Sequence, residues 1–289
     1  MAYRPEPAPF EEELAGLDAL ESKTPRALSP ARKVWSATWP KLAAVAIVLL
    51  FWQILVWAHF KPLILYGPGT VFRQLGTDIG NGRIPHALAT TMERAGIGYA
   101  TALVLGSAIG MAVARVPVLR AAVGSLITGL QTMPSVAWFP LALAFFGLSE
   151  TAILSVVILG ATPSIANGLI AGIDNVPPLL LRAGRVLGAR GVSAYRHVIL
   201  PAAFPSFIGG MKQGWAFAWR SLMAGELLVQ LGRPALGLEL ENARLNVDYA
   251  GLMAIMIVIL VVGIVVDSLL FGVIEKRVRR RWGLIESVS

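Results

Sequence analysis

The sequence predicts an all-α integral membrane protein with six transmembrane helices and both termini in the cytoplasm. Three observations predict it. Apolar residues make up 56% of the 289 and charged residues only 15%, with a mean hydropathy of +0.67, whereas a soluble domain is about one-quarter charged. Six runs are long and apolar enough to cross a bilayer, each close to the ~20 residues that a spanning helix needs. Lysine and arginine divide unequally between the connections, 17 on the side of the termini and five on the other, and that excess marks the cytoplasmic side.

In order along the chain, residues 1–41 read as a cytoplasmic tail. It is proline-rich, carries Glu11, Glu12 and Glu13, and has room for a short amphipathic helix over 10–20. The six-helix transmembrane domain occupies 42–274, with spans at 42–60, 88–114, 121–146, 151–172, 207–231 and 250–274, and a basic cytoplasmic tail follows at 275–289. Trp35, Trp39, Trp52, Trp57 and Trp282 flank the first and last spans, where indole rings anchor at the interface. Gly106 and Gly110 in the second span, and Ser164, Gly168 and Gly172 in the fourth, have the small-xxx-small spacing that lets helix backbones approach. The third span holds Gln131, Met133, Pro134, Trp138 and Pro140. A proline there bends the helix while Met and Trp give an adaptable lining, so the segment reads as a gate or as a kinked packing helix.

The connection at 173–206 is too polar to span and too patterned for a slack linker. Pro177 and Pro178 open one short helix, Gly191 follows it, and 192–200 reads as a second helix that Pro201 ends. Arg182, Arg185, Arg190 and Arg196 on this knob, with leucines and valines between them, suit docking into a groove on a partner.

The charge balance, +8 with a pI of about 10.2, is accounted for by membrane orientation, so nucleic acid is not an expected partner. With no cysteine, disulfides and thiolate chemistry are excluded. His59, His86 and His197 sit at boundaries or in loops, and no G-x-S-x-G elbow or paired-histidine metal spacing occurs. The chain therefore reads as a transport protein and not an enzyme. No G-x-x-x-x-G-K-[ST] is present to cradle ATP phosphates.

Charges within spans are functional candidates by default. Glu93 and Arg94 lie near an interface, Lys212 near the inner boundary, and Asp267 near the basic C-terminal segment. Arg220 lies deeper, beside Trp219, with Trp215 a turn earlier and Glu226 nearly two turns later. It either pairs with Glu226 or offers its guanidinium to an anionic solute.

At the cytoplasmic loop the residues resemble a known family. Arg182-Ala183-Gly184, three residues, Gly188, nine residues, then Val198-Ile199-Leu200-Pro201 is similar to the EAA loop of bacterial ABC importer permeases. The family's Glu falls at Arg182 and its second Ala at Gly184. Further matching pieces are Gly67-Pro68-Gly69-Thr70-Val71, Gln131-Thr132-Met133-Pro134, Trp138-Phe139-Pro140-Leu141, Phe146-Gly147-Leu148-Ser149-Glu150 and the run from Ala218-Trp219-Arg220 to Glu226. These resemble the branch that imports aliphatic sulfonates, taurine and nitrate.

The resemblance implies a type I ABC importer permease fold in the bacterial inner membrane. It implies two cytoplasmic ATPase subunits as partners, which hold the ATP and magnesium, since no cofactor is expected on this chain. An external solute-binding protein and a second permease copy, most simply a homodimer, complete the assembly. The ATPase-coupling residues are then Arg182, Ala183, Gly184, Arg185, Gly188, Ala189, Val198, Leu200 and Pro201. The translocation path or gate takes Gln131, Met133, Pro134, Trp138, Trp215, Trp219, Arg220 and Glu226. The expected solute is an aliphatic sulfonate or taurine, with nitrate, bicarbonate or another small solute as the alternative. An ATPase-independent transporter or channel also fits six spans, but it leaves the patterned loop unexplained.

Overall fold

The computed structural model describes residues 30–281, and those residues are helical with no strand among them. The amphipathic helix expected over 10–20, the acidic run and Trp282 lie outside the described residues.

Helix α1 (Pro30–Trp57) starts well before the expected span at 42, so residues 30–41, assigned above to the tail, are helical. Its apolar stretch Thr38–Trp57 is long enough to cross a membrane, and Leu42, Val45, Ile47, Val48 and Phe51 are exposed.

The described residues from Leu55 onward form one compact unit. Helix α2 (Pro68–Gly80) occupies the connection at 61–87 that the sequence left without structure, and Pro68 at its first position supplies a preset φ. Helix α3 (Arg83–Arg115) follows. Helix α4 (Pro117–Thr132) breaks at Met133-Pro134, a 3-10 turn covers Ser135–Trp138, and helix α5 (Phe139–Phe146) continues after a 106° bend. The span expected at 121–146, read from its prolines as bent, is thus broken outright at Met133-Pro134. Pro134 disfavours α geometry at the residue before it, and Met133 is extended at φ −77° and ψ 128°.

Helix α6 (Glu150–Asp174) begins at Ser149, whose side chain caps the Ala152 N–H. Helix α7 (Pro178–Val186) stands in the 173–206 connection. A short turn (Val192–Ala194) then runs through a π-helical stretch (Tyr195–Ile199) directly into helix α8 (Leu200–Leu228). Pro201 thus does not end the second short helix; it sits in the first turn of α8, where a missing N–H is tolerated. The π stretch absorbs the mismatch, with the Leu200 N–H reaching five residues back to the Tyr195 carbonyl. Helix α9 (Leu236–Leu245) fills the next connection. Helix α10 (Tyr249–Val265) passes through a second π stretch (Val266–Phe271) into helix α11 (Gly272–Arg281).

Four of these helical segments are long and apolar enough to span, and a fifth if the bent α4–α5 pair is one span. Helix α8 has the length, 29 residues, or about 43 Å at 1.5 Å per residue. Its Lys212, Arg220, Glu226 and glycines dilute its apolarity.

The core lies where α6 is held between α3 and α8. Lipid is as apolar as leucine, so close packing of small residues must hold such helices together. A Cβ on Gly106 would lie 2.8 Å from Ile165, one on Gly110 2.8 Å from the Ala166 carbonyl, and one on Gly168 2.5 Å from the Gly210 Cα. The small-xxx-small spacing read from the sequence marks these crossings. Across α3 and α8, Tyr99 meets Trp215 edge-on at 5.4 Å and donates a 2.8 Å hydrogen bond to the Met211 carbonyl.

Candidate functional site

Three regions of this unit carry chemistry. The first is at the α9 end of the bundle, where Arg94 is only 4% exposed and is not the snorkelling interface residue its sequence position suggests. Its Nε and one terminal nitrogen donate to the two Glu150 oxygens, each at 2.7 Å, and its other nitrogen donates to Glu226 Oε1 at 3.0 Å. Glu226 Oε2 accepts from Thr91 Oγ1 at 2.9 Å and from the Gly237 N–H at 3.1 Å. Thr91 Oγ1 in turn accepts from the Leu236 N–H at 2.9 Å. Arg233 reaches Glu93 at 2.9 Å and Glu150 at 3.5 Å. One network thus joins α3, the start of α6, α8 and the start of α9, and each nitrogen of the Arg94 guanidinium and each oxygen of the Glu226 carboxylate has a partner.

Thr91, Glu150 and Gly237 are absent from the sequence-predicted site. A signal for Arg94 was available, because it shares a helical face with Thr91, Gly98, Gly106 and Gly110, all of them buried.

On the same stretch of α9, the Glu241 carboxylate accepts from Arg244 Nε at 2.8 Å. The Arg244 guanidinium holds that carboxyl below the usual carboxylate range.

The second region is one face of α8. Ser206, Gly209, Gln213, Ala216 and Arg220 recur at intervals of three and four residues, and all are exposed. Arg220 Nε donates to the Ala216 carbonyl at 3.0 Å, and its guanidinium lies 4.7 Å from the Phe217 ring centroid. It has no carboxylate partner among the described residues, because Glu226 is committed to Arg94. The opposite face holds Trp215 and Trp219, stacked at 6.0 Å in the core. Lys212 pairs with Asp267 at 3.1 Å, so Asp267 meets α8 and not the basic C-terminal segment. Of the gate candidates, Met133 and Pro134 are exposed at the break, Trp138 is half-buried, and the Gln131 amide donates to the Pro163 carbonyl at 2.9 Å.

The third region is the knob at the α7 end. Helix α7 closes with the Gly188 N–H on the Arg185 carbonyl and the Ala189 N–H on the Gly184 carbonyl, a Schellman arrangement that needs a left-handed residue. Gly188 supplies it at φ +84°. Gly184 is buried, and a Cβ there would lie 2.8 Å from Val198, so α7 packs closely on the π stretch. Arg182, Ala183 and Arg185 are exposed, Ala189, Val198, Leu200 and Pro201 are half-buried, and Val186 and Leu187 are 87% and 86% exposed. Arg115, the last residue of α3, lies 4.3 Å over the Tyr195 ring and ties the knob to the bundle.

Relatives share much of the chain. The taurine transport system permease protein TauC of Escherichia coli is 27% identical over 193 residues, covering 65% of this chain and 70% of its own. The nitrate import permease protein NrtB of Synechocystis is 26% identical over 237 residues, covering 78% and 83%. The fold is similar to that of a chain in a crystal structure of an amino acid ABC transporter with histidines, with a TM-score of 0.54 and 20% identity over 70% of this chain and 97% of that one. Residues 102–280 match the pattern of the binding-protein-dependent transport system inner membrane component, and on that match, over more than half its length, this multi-pass membrane chain belongs to that permease family.

Proposed function

We propose that the chain is the permease subunit of an ATP-driven importer that takes a small anion, an aliphatic sulfonate or taurine in the first instance, from an external binding protein into the cytoplasm. The six crossings are α1, α3, the bent α4–α5 pair, α6, α8 and the α10–α11 helix. The excess of lysine and arginine on one side supports cytoplasmic termini. Two ATPase subunits dock on the knob, where uncovered Val186 and Leu187 beside four exposed arginines suit a partner's groove. A second copy faces the first across a pore.

The observation that carries the anion reading is Arg220. It lies two-thirds of the way along α8, uncovered, with its charge balanced by no carboxylate among the described residues. It stands on a face made otherwise of small and polar residues. Such a charge in lipid alone is costly, whereas one facing a watered path is not. In this reading Trp215, Trp219 and Glu226 back the path, while Arg220 and Gln213 line it. Gln131, Met133, Pro134 and Trp138 form its bend. The similarity to permeases named for taurine and nitrate supports a small anionic solute.

The test is uptake by the full complex in proteoliposomes with taurine, ethanesulfonate and nitrate as trial solutes. Arg220→Gln should assemble and hydrolyse ATP but lose about 10-fold or more in uptake, the scale of a charge-assisted hydrogen bond. Unchanged uptake by that variant overturns the assignment.

A further inference from the structure

We propose that Glu226 is a positioning residue that latches the external helix α9 to α8, so that displacing α9 moves Arg220. The inference rests on the importer reading above.

Helix α9 opens with N–H groups that no intrahelical carbonyl can satisfy. The Leu236 N–H donates to Thr91 Oγ1 and the Gly237 N–H to Glu226 Oε2, and the Thr91 hydroxyl donates to that same carboxylate oxygen. A carboxylate belongs at a helix N-terminus, where backbone partial charges are positive. Here it comes from another helix and not from a cap residue, since the capping Ala235 has no polar side chain. Seating is close. A Cβ on Gly237 would lie 2.5 Å from the Glu226 Cβ and 2.9 Å from the Met223 carbonyl. Gly232, at φ +75°, turns the chain back so that α9 can reach this position.

Glu226 is only 1% exposed. Lifting α9 therefore takes the Gly237 donor from the Glu226 carboxylate and the Leu236 donor from Thr91, and separates the carboxylate from the α9 N-terminus. Moving α9 and repositioning α8 together costs less than moving either alone, which is a coupling free energy between two places. Arg94 and Glu150 fix the α3 and α6 side of the joint through two 2.7 Å bonds. Arg220 is six residues before Glu226 on α8, which places it about 9 Å along the helix and about 120° around it. Rotation or translation of α8 at Glu226 is thus carried to Arg220. The far end of α9 stays reachable, with the Arg244 side chain 60% exposed.

The test uses the full permease–ATPase complex in proteoliposomes with its binding protein, loaded in turn with taurine, ethanesulfonate and nitrate. Thr91→Val keeps the shape and removes the bridging hydroxyl, Thr91→Ser restores it, and Gly237→Ala wedges α9 off Glu226. We expect Thr91→Val, which strips the Leu236 N–H of its acceptor, and Gly237→Ala, which crowds the Met223 carbonyl, to lower the melting temperature by a few degrees but to keep unstimulated ATP hydrolysis near wild type. Both should lose about fivefold or more of the stimulation by loaded binding protein, the lower end of typical coupling, and Thr91→Ser should recover it. Wild-type stimulation in both altered complexes overturns the latch and leaves the importer reading standing. So does a parallel fall in melting temperature, unstimulated and stimulated rates, which marks a purely structural contact. A wild-type complex that none of the three loaded forms stimulates overturns the importer reading, and the latch with it.

Discussion

Arg94 Nη1 and Glu226 Oε1 lie 3.0 Å apart with both side chains at 5% exposure or less, on helices whose sequence positions are 132 residues apart. Removing one member leaves the other charged and buried, which typically costs 3–5 kcal/mol. Arg94→Met should therefore destabilise the detergent-solubilised protein by about 3 kcal/mol. Glu226→Gln, whose oxygen still accepts from the Gly237 N–H but whose NH2 then faces Arg94, should cost about 2 kcal/mol, less than Arg94→Met because Arg94 keeps both Glu150 bonds. Thermal or denaturant melting checks the order, and an Arg94→Met protein that melts like wild type sinks the account.

That pair also shows which parts of the fold a single chain makes legible. Among the described residues, apolar length located the four helices long and apolar enough to span, and small-xxx-small spacing marked the α3–α6 and α6–α8 crossings, because both are local properties of one helix. The partners of Arg94 stand 56 and 132 residues away, and nothing local in the sequence names them. The proline marked a bend near Met133, but the sharpness of the 106° break was hidden for a different reason. Hydropathy averages over 121–146 without seeing that Pro134 removes a donor and forces an extended neighbour. Pro201 misled in the opposite sense, since a proline that ends one helix and a proline in the first turn of the next look alike in sequence.

The α6–α8 crossing gives a sharper stability test. A Cβ on Gly168 would sit 2.5 Å from the Gly210 Cα, whereas Gly209, one residue away on the facing helix, has nothing within 4 Å. Backbone cannot yield as a side-chain tip can, so Gly168→Ala should push the helices apart and cost about 1–3 kcal/mol, the usual range for overpacking. Gly209→Ala should be neutral or slightly stabilising, since alanine is the better helix former. Equal melting of the two variants would contradict the crossing.

A pH effect follows from the Glu241–Arg244 pair on α9. Its hydrogen bond lowers the carboxyl pKa from an ordinary 4.5. A carboxyl with a depressed folded-state pKa contributes its stability above the unfolded value and loses it as pH falls through the folded one. The difference in melting temperature between wild type and Glu241→Gln should thus stay constant from pH 8 to about 5 and shrink only below 4.5. A gap that closes already near neutral pH would show that another group is responsible.

The knob separates a local strain from a global one. Gly188 holds φ +84° at the end of α7 and has open space around its missing Cβ, so the obstacle to a side chain there is backbone conformation alone. Left-handed geometry costs a non-glycine residue about 1–2 kcal/mol, and asparagine tolerates it better than most. Because α7 packs on the π stretch at Val198 and makes no extensive contact with α3, α6 or α8, that strain should unwind the end of α7 and leave the α3–α6–α8 core intact. Gly188→Val should then keep near-wild-type melting but lose ATPase co-purification several-fold, with Gly188→Asn between the two. Melting that falls in step with ATPase binding would mean that the knob is part of the folded core.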